Sequence, residues 1–433
     1  MKENKKAKYL KWWRLDNAAK IYPAAMRKNW SNVFRQSITL NEDIDVDVLK
    51  SALKVTVKRF PSIAARLRKG VFWYYLEQLS SSPEIMEESS YPLVFMKKEE
   101  IRRCALRVIV YKNRIAVEFF HSLTDGTGAL IFLKTLTAEY LEQKYSISIP
   151  NEFGVLDRKQ KPLKEELEDS FLKYAGNVCA SRKDTNAWRM VGEEEKNSFL
   201  NLTCFRIPLK ETLEKAHEYN STLTVFLSAV IMKALINLQN EKEPDISKQK
   251  LIKLLIPVNL RKLFGSNTLR NFAMYTVPEI DTRLGEWTFG EICDVIKHKM
   301  GTEVTPKFMS SVIATNVKDE RNTFLRLVPL PIKNAVMKAV FDSVGEKKSC
   351  LSFSNIGKID LPEIMKKYVL RMDFILGVQA AAPYNCGMLS FGDTIYLNFI
   401  RNVRYAELEY YFHKVLEELG ISALVESNRN AEE

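Results

Sequence analysis

A single histidine is followed four residues later by an aspartate and then by two glycines in VEFFHSLTDGTGALIFLKTL, which runs from Val117 to Leu136. An imidazole has a reference pKa of about 6.5, so at neutral pH it accepts a proton from a hydroxyl or an amine once its tautomer is set. His121 is therefore the candidate general base. Asp125 could fix the local backbone or bind a basic residue from elsewhere in the chain, while Gly126 and Gly128 admit φ > 0 or the close approach of another backbone. Taken singly, a histidine at a strand end is more often packed or solvated than catalytic, and Asp-Gly is a common turn signal. The combination is what points to an active site.

These residues need elements to hold them. Ile115, Val117 and Phe119 alternate with Arg114 and Glu118, which predicts a strand over residues 114–120 with His121 on its apolar parity. From Thr127 the period changes. Leu130, Leu133, Leu136 and Tyr140 share one helical face, with Asp125 or Thr127 as the cap. The histidine thus falls in a short loop between elements, where reactive groups are often carried.

Upstream, strands are expected over 31–40, 71–78 and 105–111, the last joined to 114–120 by a tight turn at Lys112 and Asn113. A helix is expected over 45–60, stopped by Pro61. Residues 146–200 turn polar and charged, and read as a structured connector with a helix over 162–174. The second half restarts with a strand at 202–209, helices at 210–219 and 222–238 and a buried strand at 251–257. A strand ending in a turn follows at 350–357. A hairpin at 388–398 turns at Gly392-Asp393, and a helix spans 406–419 ahead of a polar tail from Asn428.

At 433 residues the chain exceeds one core, which favours two domains of about 150 to 200 residues. With 46% hydrophobic and 27% charged residues it is globular in composition, and no apolar run reaches the roughly 18 residues that span a bilayer. The start, MKENKKAKYLKWWR, lacks the apolar stretch of a secretory signal, so a cytoplasmic location is expected. Cys104, Cys179, Cys204, Cys293, Cys350 and Cys386 are scattered, which speaks for reduced thiols rather than a disulfide framework or zinc. His217, His298 and His413 lie in helix-like stretches, so no metal site is expected.

The net charge of +12 suits an acidic partner, but no nucleic-acid motif accompanies it. Lys2, Lys5, Lys6, Lys8, Lys11 and Arg14, beside Trp12 and Trp13, allow a weak peripheral membrane contact. A frayed, solvated terminus is the simpler reading.

HSLTDG, His121 to Gly126, resembles the HxxxDG signature of the acyltransferase superfamily that includes chloramphenicol acetyltransferase, plant acyltransferases, alcohol acetyltransferases, wax ester synthases and peptide-synthetase condensation domains. Many of these carry a second histidine where this chain has Phe120, but the plant branch dispenses with it. PVNLRKLFGSNTLRNF, Pro257 to Phe272, resembles a second-lobe segment of wax ester synthases, with Arg261 and Asn271 in the matching places. Arg261 is the candidate partner for Asp125, with an exposed loop arginine as the alternative. Ser354 and Asn355 match the start of a Ser-Asn-Val-Pro-Gly element, although Ile356-Gly357 lacks its proline and the plant DFGWG sequence is absent. A purely structural turn role for that pair stays open. Asp16 to Pro23 is similar to a segment that lines the acceptor entrance in such enzymes.

The resemblance implies an α/β fold: a two-lobed, chloramphenicol-acetyltransferase-like pseudo-dimer, each lobe a mixed sheet with helices and an active-site tunnel between them. Residues 1–160 would form the first lobe, 161–200 a connector and 201–433 the second lobe. It further implies direct acyl transfer from a coenzyme A thioester to a small-molecule alcohol or amine, with no tightly bound cofactor and no acyl-enzyme. His121 would act as base, Asp125 and Gly126 would shape the loop, and Asn355 or Ser354 would donate to the oxyanion. Two alternatives remain, a stand-alone condensation-type enzyme using carrier-protein-bound acyl groups and a non-catalytic binding protein that retains the fold. No carrier or adenylation segment is fused within these residues, which favours a free-standing enzyme.

Overall fold

The computed structural model describes residues 10–27, 32–180, 185–321, 326–343, 347–379 and 382–429. In chain order its strands are β1 (Trp12–Arg14), β2 (Val33–Leu40), β3 (Ala65–Lys69), β4 (Tyr74–Gln78), β5 (Ile85–Glu87), β6 (Leu106–Tyr111), β7 (Arg114–Phe120) and β8 (Asn201–Pro208). Then come β9 (Ile252–Asn259), β10 (Ala273–Thr276), β11 (Glu279–Ile280), β12 (Leu351–Lys358), β13 (Val369–Ile375), β14 (Tyr384–Phe391), β15 (Thr394–Arg401) and β16 (Leu424–Ser427).

Two mixed sheets carry the fold. The first has the order β13-β2-β7-β6-β5, antiparallel except for the parallel pair β5 and β6. The second runs β10-β9-β12-β14-β15-β8-β16, with β11 also on β9, and β12 parallel to both of its neighbours. A small sheet, β1-β4-β3, stands apart.

Each large sheet buries one face under two helices. On the first lie Val46–Arg59, capped by the Asp45 carboxylate, and Gly126–Tyr145, which buries Leu130, Leu133, Leu136 and Tyr140. On the second lie Leu223–Lys242 and Glu407–Glu418. The 20-residue helix Leu223–Lys242 is apolar on nearly all sides because it is a core helix. By length and composition it is the one described helix that could cross a membrane, yet 72% of its most apolar window is buried inside the protein.

The lobes interlock. β13 comes from the second half of the chain but completes the first sheet, pairing with β2 from Arg371↔Thr39 to Ile375↔Arg35. Gly387 of β14 lies so close to β13 that a Cβ there would stand 2.5 Å from the Phe374 carbonyl oxygen. No division of the chain near residues 160–200 anticipates this exchange. The polar connector is also tied down, since Glu166 accepts both Arg59 Nη1 at 2.7 Å and Nη2 at 2.6 Å in a buried bidentate pair, and its carbonyl accepts Leu269 N at 2.9 Å.

Several elements differ from the sequence reading. Residues 71–78 are not one strand: β4 begins at Tyr74, Val71 and Phe72 form the tip of a hairpin, and β3 precedes it. The helix expected over 162–174 is a 3₁₀ turn, Glu165–Leu167, and a short helix, Ser170–Tyr174, that the Asp169 carboxylate caps. Ser354 and Asn355 lie within β12 rather than in a turn, just before a register irregularity between Asn355 and Lys358. Between β11 and β12 the chain forms helices Phe289–Glu303, which contains the helix-like stretch around His298, and Pro306–Arg321 and Leu330–Ser343, where the sequence reading places nothing. Lys2, Lys5, Lys6 and Lys8 fall outside the described residues. Trp12–Arg14 is not frayed but paired with β4. Asn428 is docked too, its side chain donating to Leu200 O at 3.0 Å.

Candidate active site at the lobe junction

β7 ends at Phe120 because the chain turns there: Leu123 N donates to Phe120 O at 2.9 Å, and His121 N donates to Asn32 O at 3.0 Å. This leaves the imidazole of His121 half-buried between two rings. Tyr22 stacks on it with centroids 4.5 Å apart and planes at 19°, and Phe34 of β2 lies tilted at 4.9 Å.

The second lobe sets the imidazole's tautomer. Nδ1 lies 3.1 Å from Oδ1 of Asn271. The amide can be oriented only one way, because Nδ2 points at two acceptors, the His121 carbonyl at 3.0 Å and Asp16 Oδ2 at 3.3 Å. Oδ1 therefore faces Nδ1, which must carry the hydrogen, and the lone pair of the neutral ring sits on Nε2. Nε2 makes no hydrogen bond to any described residue. Burial pushes the imidazole below 6.5, against the opposing pull of its own carbonyl, Asp125, Asn271 and Asp16. At neutral pH the ring is thus an unprotonated base with one free lone pair.

Asp16 is buried at the start of this chain of contacts. Its Oδ1 accepts Ala19 N at 2.8 Å, and the Arg270 guanidinium lies 3.6 Å from Oδ2. Burial raises its carboxyl above the ordinary 3.8, with Arg270, Ala19 N–H and Asn271 acting against that.

Asp125 is used quite differently. Oδ1 caps the helix Gly126–Tyr145 by accepting Thr127 N at 3.2 Å and Gly128 N at 3.1 Å. Oδ2 accepts Arg261 Nη1 and Phe272 N, both at 2.8 Å. Arg261 in turn donates through Nε to Thr268 O at 2.8 Å and through Nη2 to Arg270 O at 2.6 Å, which folds residues 261–270 around the aspartate. Burial would raise this carboxyl, but Arg261 and the N–H donors of Phe272 and Gly128 outweigh it and hold the group below 3.8.

Gly128 is needed for close approach and not for an unusual φ. A Cβ there would stand 2.1 Å from Thr124 Oγ1 and 2.3 Å from Leu269 O, two atoms that hydrogen-bond each other at 2.6 Å across the junction. At Gly126 the added carbon would meet only Ile356 and Phe374, at ordinary contact distance of 3.5 Å.

Ile356 belongs to β12, two residues beyond Ser354, and its contact places that strand beside the helix that starts at Gly126. Asn355 is committed elsewhere. Its Nδ2 donates to Thr224 Oγ1 at 3.0 Å and its Oδ1 accepts Gly357 N at 2.7 Å, so both ends of the amide hold the second lobe. The Ser354 hydroxyl is half-buried and hydrogen-bonds none of the described residues.

An interlobe cavity of about 520 Å³, lined by Arg35, Arg371, Asp373 and Asn398 among others, lies on a different part of the junction and does not include His121. Among the described residues no His, Cys, Asp or Glu cluster could hold a metal, and the six cysteines are unpaired. Burial pushes the Cys104 thiol up to about 11 and the Cys293 and Cys350 thiols up to about 12. Tyr22 and Phe34, which frame the imidazole, carry no motif of their own, and only the segment likeness over Asp16 to Pro23 points toward that region.

No protein-family model matches the chain, and no curated protein matches it by sequence. Solved structures do. TRI101 of Fusarium sporotrichioides, complexed with coenzyme A and T-2, is 12% identical with a TM-score of 0.62, covering 95% of this chain and 99% of its own. Trichothecene 15-O-acetyltransferase from Fusarium sporotrichioides is 12% identical with a TM-score of 0.61 over 94% of both chains. The first condensation domain of the CDA synthetase is 12% identical with a TM-score of 0.57, again over 94% of both chains. At this identity the likeness is one of fold, and it extends over nearly the whole length of each partner: the chain has the two-lobed α/β fold of chloramphenicol-acetyltransferase-like acyltransferases and condensation domains.

Proposed function

We propose that the protein is an acyltransferase that moves an acyl group from coenzyme A to a hydroxyl or amine by direct transfer, with His121 as general base. The observation that carries this reading is the imidazole whose Nδ1 is held as a donor by Asn271, leaving the Nε2 lone pair free at the lobe junction. The fold supports it, since structures of the same architecture include acetyltransferases and a complex with coenzyme A.

In the proposed reaction Nε2 takes the proton of the acceptor as its oxygen or nitrogen attacks the thioester carbonyl. The tetrahedral oxyanion then needs a donor, and the free hydroxyl of Ser354 fits that role better than Asn355, whose amide is already spent. Collapse expels the thiolate, which recovers the proton from the imidazolium. Histidine begins and ends neutral, no bond to the protein forms, and the products are an ester or amide and free thiol.

Free coenzyme A is the proposed donor because a neighbour of the same fold is complexed with it; a net charge of +12 would attract this polyanion, though it would attract an acidic carrier protein as well. The purified protein should release thiol from acyl-coenzyme A only when an alcohol or amine acceptor is added, with KM for the thioester rising as salt is raised. Release seen only with an acylated carrier protein would instead make it a condensation-type enzyme, as the fold shared with condensation domains allows. No release from any thioester would leave a binding protein.

A further inference from the structure

The helix Leu330–Ser343 is inverted. Two of its polar residues, Lys333 and Asn334, turn toward the protein: Lys333 Nζ stands 3.6 Å over the Trp73 ring and donates to Phe72 O at 3.2 Å, and Asn334 Nδ2 donates to Tyr74 OH at 2.9 Å. Ile332, Ala335, Val336 and Ala339, spaced as one helical stripe, face solvent, with Ile332 55% and Val336 58% exposed. In a globular protein the apolar stripe of a surface helix is the face that should be covered.

The stripe continues onto a second element. Leu330 N donates to Val71 O at 2.9 Å, which pins the β3–β4 hairpin tip to the start of the helix. That tip carries Val71, 71% exposed, beside an exposed Phe72, in a position where turns normally carry polar residues. Leu327, ahead of the helix, is 64% exposed as well.

Charge says what covers this face. Residues 321–343, through the end of the helix, contain four basic residues, Arg321, Arg326, Lys333 and Lys338, against a single acidic one, Asp342. Lys338 and Arg326 are exposed on the helix side, and Lys69 is exposed at the hairpin tip. A second copy of the same face would set these positive charges against one another, so the stripe is a poor self-interface. Apolar side chains flanked by bases on an in-plane helix match the boundary between lipid headgroups and acyl chains.

We propose that the Leu330–Ser343 helix and the Val71–Phe72 tip dock on an anionic lipid bilayer. The location gives the contact a use. This helix packs on the short helix Ile21–Ala25, whose Tyr22 stacks on His121, so the docked face lies one layer from the candidate base. Resting on the acyl-transfer reading, the corollary is that an acyl chain or lipophilic acceptor reaches the site from the membrane. The docking itself does not depend on that reading.

The test uses the full chain with vesicles of phosphatidylcholine, with and without phosphatidylserine, and follows co-sedimentation. We expect binding to phosphatidylserine vesicles that weakens with salt, and at least a tenfold lower partition for Ile332→Asp/Val336→Asp, whose side chains are solvent-facing and should leave the unfolding midpoint unchanged. Separately, Val71→Ser/Phe72→Ser should weaken binding through the other element. Vesicle binding that these variants leave intact, as the basic terminus alone would give, overturns the proposal. So does absence of binding, whether the native chain stays monomeric or self-associates through this face. Thiol release in detergent tests the acyl-transfer reading independently, so failure of one is not failure of the other.

Discussion

The loop from His121 to Gly126 has two ends in opposite conditions. At the aspartate end each carboxylate oxygen takes two donors, and three elements converge on it: the helix it caps, the Arg261 guanidinium and the backbone of Phe272. At the histidine end one ring nitrogen is engaged and the other is left free, between two aromatic rings. A buried charge whose every lone pair is satisfied is a joint, and a half-buried imidazole with one lone pair unused is a reagent. The spacing of four residues sets the reagent a fixed distance from the joint, so the contact that holds the lobes together also aims the base.

Breaking the joint should have the largest effect on folding. Asp125→Asn removes the charge that Arg261 was buried to meet, and the loss expected is about 3 to 5 kcal/mol, measured by denaturant unfolding. A variant of native stability and rate would reduce Asp125 to a turn residue. The same carboxyl gives a pH dependence of known sign. Because its folded pKa lies below 3.8, its stabilisation is present above that value and lost as pH falls through the lower folded value. Native protein should therefore lose stability in that acid range, and Asp125→Asn should lose the part due to this group.

A smaller effect sharpens the contrast from the other side. Asn271→Ala removes the acceptor that sets the imidazole tautomer, and the rate is expected to fall about tenfold, the equivalent of one neutral hydrogen bond. Since Asn271 raises the His121 pKa, the acid limb of the pH–rate profile should also move lower. A variant with reduced stability but an unmoved profile would make Asn271 a packing residue only.

How much of this was legible depended on the range of the signal. The alternation ending at Phe120 and the change of period after Thr127 are local, so the strand, the helix and the loop between them could be read directly. Asp125 as cap was readable for the same reason. The Arg261 contact came from a likeness between segments, since 136 residues separate the partners.

Long-range facts were not readable. Nothing local marks β13 as a strand that crosses to the other lobe's sheet. Tyr22 and Phe34 meet His121, and Asp16 meets Asn271, only through tertiary packing, which the likeness of Asp16 to Pro23 to an acceptor-entrance segment does not specify. Ser354 and Asn355 look like turn residues, yet they sit in a parallel strand where one hydroxyl is free and one amide is consumed. The helices Pro306–Arg321 and Leu330–Ser343 have no counterpart in the sequence reading, and Leu330–Ser343 turns its apolar stripe away from the core, so its periodicity points outward.

The central claim is that the free nitrogen of His121 carries the chemistry while the aspartate end carries the structure. The direct measurement is acceptor-dependent thiol release from acyl-coenzyme A by His121→Ala, beside its unfolding midpoint. The expected result is a loss of at least about 100-fold in turnover with a cooperative transition retained. Native turnover in that folded variant would contradict the account.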